Sequence, residues 1–165
     1  MGTRKDLDWF KARMESKFEI KHKRLGPRPE ELKSVRILNR IVSWTPDGIE
    51  YESDQRHAEI IVKQMGLDEK SKGVNTPGIR TKPGEVDGEL NELGPAEATK
   101  YRGLVARANY LSQDRGDIRF AVKELSRWMA KPRHRDVVAL KRLARYLVSK
   151  PRMVYLFKKQ KLPKG

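Results

Sequence analysis

Three cationic residues recur at intervals of four in the second half of the chain: Arg119, Lys123 and Arg127. An α-helix turns by about 100° per residue, so this spacing places them in one row, on the side opposite the apolar Val122 and Leu125. Like charges four residues apart destabilise an isolated helix slightly, whereas phosphates suit such a row. The row therefore has two interpretations, a solvated helix face and a surface that contacts the phosphates of a nucleic acid.

A second group of cations lies beside the apolar stripe of the next predicted helix, and one further arginine precedes the first row. The candidate nucleic-acid-binding residues are Arg115, Arg119, Lys123, Arg127, Arg135, Lys141, Arg142 and Arg145. Acidic residues are scarce in this region, because only Glu124 and Asp136 follow Asp117. This scarcity favours the phosphate interpretation. Phosphate contacts provide affinity without selecting a base sequence.

The excess positive charge is concentrated in one half of the molecule. The formal net charge is +15. Residues 1–95 hold 18 Lys and Arg against 17 Asp and Glu, whereas residues 96–165 hold 19 against 5. A basic surface that is confined to one part of a chain indicates a polyanionic partner, because a purely solubilising charge would be spread evenly.

Several classes of site and location are excluded by composition. The chain has no cysteine, so disulfides and thiolate metal sites are absent, and its three histidines lack the spacing of metal ligands. We expect no metal site. No apolar run approaches the length that a bilayer requires, and the first residues lack an apolar signal core. The sequence predicts an intracellular protein, cytoplasmic or nuclear, that is neither secreted nor bound to a membrane.

The first half predicts a helix, a hairpin and a second helix. Apolar periodicity indicates a helix over residues 6–20, with Phe10 and Phe18 in a core. The β-branched and aromatic runs around a Thr-Pro-Asp-Gly turn predict a hairpin of residues 35–44 against 49–52, with a positive φ at the turn glycine, Gly48.

A second helix is expected from residue 54 to the terminator Gly66, and the Gly-, Pro- and charge-rich residues 68–95 predict a flexible linker. Trp44 and Tyr51 lie on opposite sides of the hairpin turn and are candidates for contact with a nucleic-acid end.

The second half predicts a helical bundle. Segments 96–111, 117–130 and 135–149 each carry one apolar face, and burying these faces requires the helices to pack together. Trp128 falls on such a face and is expected in the core. A short strand over 153–157 has no partner within the second half, which indicates that a larger protein supplies one. The predicted fold class is α+β.

Two stretches carry a family resemblance: YRGLVARANYLSQDRGDIRFAVKELSRWMAKP and ALKRLARYLVSKP. The order and spacing of their motifs resemble the copia-type retrotransposon reverse transcriptase. The matching residues are Tyr101 and Arg102, Leu104 and Val105, Tyr110 and Leu111, Arg115, Asp117 and Ile118, Ala121 and Val122, Leu125 to Arg127, Pro132, Lys141 and Arg142, and Arg145 to Leu147. The upstream helix, Leu25-Gly26, the hairpin, the second helix and Thr76-Pro77 follow the family order as well.

Three positions depart from the family pattern. Gly116 stands where the family usually has proline, Ala106 where it usually has glycine, and Asp136 where a histidine is common. The loss of proline at position 116 is expected to loosen the turn before the helix, because the fixed φ of proline is lost.

The resemblance also exposes missing catalytic groups. The polymerase site of the family needs a Tyr-x-Asp-Asp turn and a further aspartate to hold magnesium ions, and no Asp-Asp pair occurs in this sequence. The aspartates of the ribonuclease H domain are absent as well. The resemblance thus implies a catalytically incomplete segment with no cofactor of its own, since magnesium would belong to the missing polymerase site.

The implied organisation has four parts. Residues 1–67 would hold the end of the palm, a primer-grip-like hairpin and the first thumb helix, and residues 68–95 the linker. Residues 96–151 would form the basic thumb bundle, and residues 152–165 the first strand towards the connection. The implied partners are an RNA or DNA primer–template duplex and the remainder of the Pol polyprotein.

Two other functions remain open on the sequence. One is an independent basic helical module that binds nucleic acid, which would show sequence preference, whereas a thumb binds duplexes almost indifferently. The other is a transposon remnant without a physiological function.

Overall fold

The computed structural model describes residues 3–78 and 91–160, which form five helices and one four-stranded sheet. The helices are α1 (Arg4–Glu15), α2 (Arg56–Gln64), α3 (Pro95–Ser112), α4 (Arg119–Ser126) and α5 (His134–Ser149). The strands are β1 (Ser34–Ile37), β2 (Arg40–Thr45), β3 (Gly48–Glu52) and β4 (Val154–Lys158). The predicted α+β class is confirmed.

Helix α1 lies outside the core. A capping box starts it, because the Thr3 hydroxyl accepts from the backbone N–H of Asp6 and the Asp6 carboxylate accepts from the N–H of Thr3. No residue of α1 is buried, and Phe10 and Phe18 are 56% and 58% exposed. The expectation that these two phenylalanines pack in a core is wrong, and the helix ends at Glu15 rather than Ile20.

The predicted hairpin is the centre of an antiparallel sheet with the order β1-β2-β3-β4. Its first strand, predicted as one run over 35–44, is divided into β1 and β2 by a turn at Leu38 and Asn39, whose φ angles are 48° and 65°. Two consecutive positive φ values define the tight turn that matches strand twist, and asparagine adopts this conformation readily. Leucine does not, which is why sequence periodicity gave no sign of the turn.

Gly48 has a role different from the predicted one. It is absent from the described residues with positive φ, so the turn between β2 and β3 needs no left-handed residue. A side chain at Gly48 would instead collide with the backbone of β4, because its Cβ would lie 2.1 Å from the carbonyl oxygen of Phe157. Glycine is required there for the close approach of the neighbouring strand.

Strand β4 pairs with the first half of the chain. It lies antiparallel to β3, with Tyr155 opposite Tyr51 and Val154 opposite Glu52. The Arg152 guanidinium also donates two hydrogen bonds of 2.8 Å to the Glu52 carboxylate. The expectation that this strand requires a partner from a larger protein is wrong, because its partner lies about 100 residues upstream, beyond the reach of local patterns.

The core is formed by the apolar stripes of α2 to α5. Helix α3 packs on α2 and α4, and α5 packs on the same two helices. The predicted stripes are confirmed in this core, whose fully buried members include Val105, Val122, Leu143 and Leu147. The helix predicted over 117–130 is shorter: a single 3₁₀ turn, Gly116–Ile118, leads into α4, which ends at Ser126. Gly66, with φ of 70°, terminates the region of α2 as predicted.

Both described ends of the predicted linker contact the helical part. The N–H of Val74 donates to the carbonyl of Arg145 in α5, and the N–H of Leu93 donates to the carbonyl of Pro132 at 2.9 Å. Residues 79–90 of this predicted linker lie outside the described residues.

The sheet is held against the helices at the turn between α3 and α4. The Asp114 carboxylate accepts hydrogen bonds of 2.7 Å from Arg40 Nε on β2 and from the Tyr51 hydroxyl on β3. The N–H of Gly116 donates to the Tyr155 hydroxyl of β4 at 3.0 Å. A proline at position 116 lacks this N–H, so glycine here adds a contact to the sheet while it removes the fixed φ.

The strained turn at Leu38 gives a direct test of the strand arrangement. A left-handed conformation costs a non-glycine residue about 1–2 kcal/mol, and the Leu38 side chain is 77% exposed and contributes little packing. We therefore expect Leu38→Gly to raise the free energy of unfolding by about 0.5–1 kcal/mol, net of the entropy of glycine, in urea denaturation.

The control is Arg36→Gly, an exposed position of β1 that lacks a positive φ. It should lower the free energy of unfolding. Equal destabilisation by both substitutions would contradict the turn between β1 and β2.

Candidate nucleic-acid interface

Arg115 is the one predicted cation that the structure places inside the protein. Its side chain is 1% exposed. The guanidinium donates to both carboxylate oxygens of Asp117, at 3.0 and 2.7 Å, and to the carbonyl of Lys150 at 3.0 Å. A guanidinium that is buried and bonded in this way is not available to a phosphate, so the structure removes Arg115 from the candidate set.

The Arg115–Asp117 pair joins the start of α4 to the end of α5. Asp117 also accepts a 3.0 Å hydrogen bond from the Tyr146 hydroxyl on α5. Burial alone would raise the pKa of Asp117, but the hydrogen bonds and charge of Arg115, together with the Tyr146 bond, hold it below its usual value. The carboxylate is therefore charged at neutral pH and fixes α5 beside α4.

The row of cations on α4 is exposed to solvent. Arg119, Lys123 and Arg127 lie opposite the buried Val122 and Leu125, as the spacing predicts. Arg127 donates to the Glu124 carboxylate at 2.9 Å, in a pair whose members are 60% and 39% exposed. Within residues 3–78 and 91–160, neither Arg119 nor Lys123 lies within 4.0 Å of a carboxylate. We call these three residues the α4 row.

On α5 the four predicted cations divide into two groups. Lys141 and Arg145 are exposed, and among the described residues neither has an acidic partner; they are the α5 pair. Arg142 donates to the Thr76 hydroxyl at 2.8 Å and thereby holds the segment after α2. Arg135 is 28% exposed and lies 3.7 Å from the Asp136 carboxylate.

The Trp128 ring contacts Arg135 of the second group and one further arginine, Arg133. Its side chain is 37% exposed, so the expectation that it is a core residue is wrong. The guanidinium carbons of Arg133 and Arg135 lie 5.0 and 4.7 Å from the ring centroid, which is the range of cation–π contacts. Helix α4 ends at Ser126, so its apolar stripe does not extend to Trp128. The Trp128 ring therefore lies outside the core. Arg133 was not predicted, because no periodic pattern links residue 133 to a ring five residues earlier.

The two hairpin candidates occupy one face of the sheet and have different surroundings. Tyr51 is tied to Asp114, and its pKa is raised by burial and by that carboxylate. Trp44 lies at the other end of the face, where the ammonium groups of Lys33 and Lys159 are 5.5 and 4.7 Å from its ring centroid. The two lysines come from segments far apart in the chain, so sequence spacing could not indicate this cluster.

The described residues do not fit a catalytic magnesium site. Magnesium requires oxygen ligands that converge on one point. Across 3–78 and 91–160, no three carboxylate or histidine side chains lie close enough together to hold a metal ion. None of the helices in the same ranges is long and apolar enough to cross a bilayer.

Comparison with known proteins finds two partial relatives. The chain is 41% identical over 63 residues to a protein of Arabidopsis thaliana, the Retrovirus-related Pol polyprotein from transposon RE1. It is 42% identical over 55 residues to the Retrovirus-related Pol polyprotein from transposon RE2 of the same plant. The matches cover 38% and 33% of this chain but 4% of each relative. Part of this chain is therefore related to a short segment of retrotransposon Pol polyproteins.

No protein-family model matches the chain, and no solved structure gives a significant match.

The role of Asp117 predicts a specific dependence of stability on pH. Its pKa in the folded state lies below the unfolded value of about 3.9, so its contribution is complete above that value and is lost as the pH falls through the folded pKa. We expect Asp117→Asn to lower the free energy of unfolding by about 3 kcal/mol at neutral pH. The difference from the wild type should shrink between about pH 5 and about pH 2.

The control is Asp136→Asn, whose carboxyl pKa is raised by burial. The ionised form of Asp136 opposes folding. The free energy of unfolding of the wild type should therefore rise relative to that of this variant as the pH falls. If the difference in free energy of unfolding between the wild type and Asp117→Asn did not change with pH, Asp117 would not form a charged pair with Arg115.

Proposed function

We propose that the chain is a segment of a copia-type retrotransposon reverse transcriptase whose helical part holds a primer–template duplex by its phosphate backbone. Helices α2 to α5 act as the thumb, and the hairpin of β2 and β3 acts as a primer-grip-like element that carries Trp44 and Tyr51. The segment lies between two catalytic sites that other parts of the Pol polyprotein supply. It polymerises nothing by itself.

The observation that carries this proposal is the set of exposed cations on two neighbouring helices. The α4 row and the α5 pair lie on outward faces of helices that pack against each other. Among the described residues only Glu124 pairs with any of these five side chains. Exposed cations that lack carboxylate partners are free to replace the counterions of a phosphate backbone.

The two partial relatives support an origin in a Pol polyprotein. Exposed aromatic side chains near the N-terminus support contact with the remainder of that polyprotein. Both partial relatives are Pol polyproteins. Trp9 and Phe10 on α1, and Phe18 just after it, form exposed aromatic surface, and exposed apolar surface of this kind favours protein contact. We propose that the remainder of the Pol polyprotein covers it.

The phosphate contacts predict a steep dependence of affinity on salt. Each phosphate contact contributes roughly −0.9 to the slope of the logarithm of the association constant against the logarithm of the salt concentration. Five contacts should therefore give a slope of about −4 to −5. Fluorescence anisotropy with a blunt primer–template duplex measures it. The double variant Lys123→Ala, Lys141→Ala should reduce the slope by about 2.

The matched control removes the same charge from a different surface. Lys5→Ala, Lys17→Ala changes two exposed lysines in and after α1 and should leave the slope unchanged. A flat salt response of the wild type, or equal losses in both double variants, would contradict the proposed phosphate contacts. Magnesium-dependent primer extension by the purified chain would contradict its catalytic incompleteness.

The competing function is an independent basic module. It is favoured by one observation, namely that α2 to α5 enclose a core of their own. Duplexes of unrelated sequence separate the two, because a thumb should bind them with similar affinity and a sequence-reading module should not.

A further inference from the structure

An open groove lies at the C-terminal end of α3, next to the start of α4. Its volume is about 600 Å³. The lining residues are Ala106, Asn109, Tyr110, Ser112, Gln113 and Arg119. The groove thus combines an aromatic ring, two amide groups and one cation of the α4 row, and small residues form the rest of its wall.

The Tyr110 ring is held in place by two neighbouring side chains. Its centroid lies 4.7 Å from that of His57, and the Arg40 guanidinium carbon lies 5.7 Å from it. Burial lowers the pKa of His57, so its imidazole is neutral near pH 7 and can accept the 3.1 Å hydrogen bond from Arg107. Tyr110 remains 43% exposed. A supported ring with an exposed surface is a stacking platform for a planar group.

The two amide side chains lie on the same side of α3. Asn109 and Gln113 are separated by four residues, which places one above the other along the helix end. In the part of the chain that the structure describes, neither side-chain amide has a hydrogen-bond partner, although their backbone groups are bonded. Each amide offers a donor and an acceptor, which is the combination that matches the hydrogen-bonding edge of a nucleobase.

The third component is Arg119, which belongs both to the groove and to the α4 row. Its contact with the Gln113 carbonyl is long, at 3.4 Å. A guanidinium has five N–H donors, so most remain for a phosphate oxygen at the mouth of the groove. The exposed Tyr110 ring favours an unpaired base, because a base within a duplex presents only its edge.

We propose that this groove binds one unpaired nucleotide at the end of a nucleic-acid duplex, with the base stacked on Tyr110, its edge bonded by Asn109 and Gln113, and its phosphate on Arg119. This inference rests on the proposed function, since it places the duplex beside the α4 row. It adds a contact to a base to a surface that otherwise contacts only the backbone.

The test compares two duplexes that differ only at one end. Anisotropy titrations measure the Kd for a blunt duplex and for the same duplex with a two-nucleotide overhang. We expect the wild type to bind the overhang duplex about tenfold more tightly, as stacking of a base on an aromatic ring provides. Tyr110→Phe should keep this ratio, whereas Tyr110→Ala and the double variant Asn109→Ala, Gln113→Ala should bring it close to one.

Two controls make the ratio specific to the groove. Phe120→Ala removes an aromatic ring that is 74% exposed on α4 and does not line the groove, and it should leave the ratio unchanged. Free deoxyadenosine monophosphate, equimolar with the duplex, should also leave it unchanged, because a single nucleotide lacks the additional phosphate contacts that strengthen binding of the duplex.

Equal affinity of the wild type for both duplexes would overturn the proposed nucleotide site in the groove. It would leave the proposed phosphate contacts intact, because binding of the blunt duplex tests those contacts separately. An overhang preference that survives Tyr110→Ala overturns the nucleotide site as well. Absence of binding to either duplex overturns both proposals.

Discussion

The buried ion pair between Arg115 and Asp117 is the interaction on which the basic surface depends. It lies where α3 has ended and α4 begins, and its guanidinium also bonds the carbonyl groups at the end of α5. Charged hydrogen bonds in a buried site are strong only when every partner is present, and loss of one partner leaves a costly unpaired charge. The pair therefore fixes the relative position of the two helices that carry the exposed cations.

The short turn from Gln113 to Asp117 connects the sheet to α5. Asp114 binds the sheet through Arg40 and Tyr51, Asp117 binds α5 through Tyr146, and the N–H of Gly116 binds β4. Two carboxylates three residues apart thus point to different elements. Asp136, in turn, caps α5. Three of the five acidic residues of the second half, Asp114, Asp117 and Asp136, thus form bonds away from the exposed cations.

Sequence periodicity predicted the parts of the fold whose causes are local. The apolar stripes of α3, α4 and α5 and the terminator Gly66 followed from spacing alone, because helix faces repeat every three to four residues. The pairing of β4 with β3 and the contacts of Lys33 and Lys159 with Trp44 could not follow, because they join distant segments. The same limitation applies to Arg115 in the candidate site. Its position beside the α4 row indicated a surface cation, but the side chain is buried and bonded to Asp117.

We propose that a duplex lies across the α4 row and the α5 pair while the buried Arg115–Asp117 pair stays intact. Titration of the isotope-labelled chain with a primer–template duplex, followed residue by residue through amide and guanidinium chemical shifts, tests it most directly. We expect large shifts at Arg119, Lys123, Arg127, Lys141 and Arg145 and an unchanged Arg115 side chain. Shifts concentrated on α1 or on the outer strand β1, with the α4 and α5 cations unaffected, would contradict it.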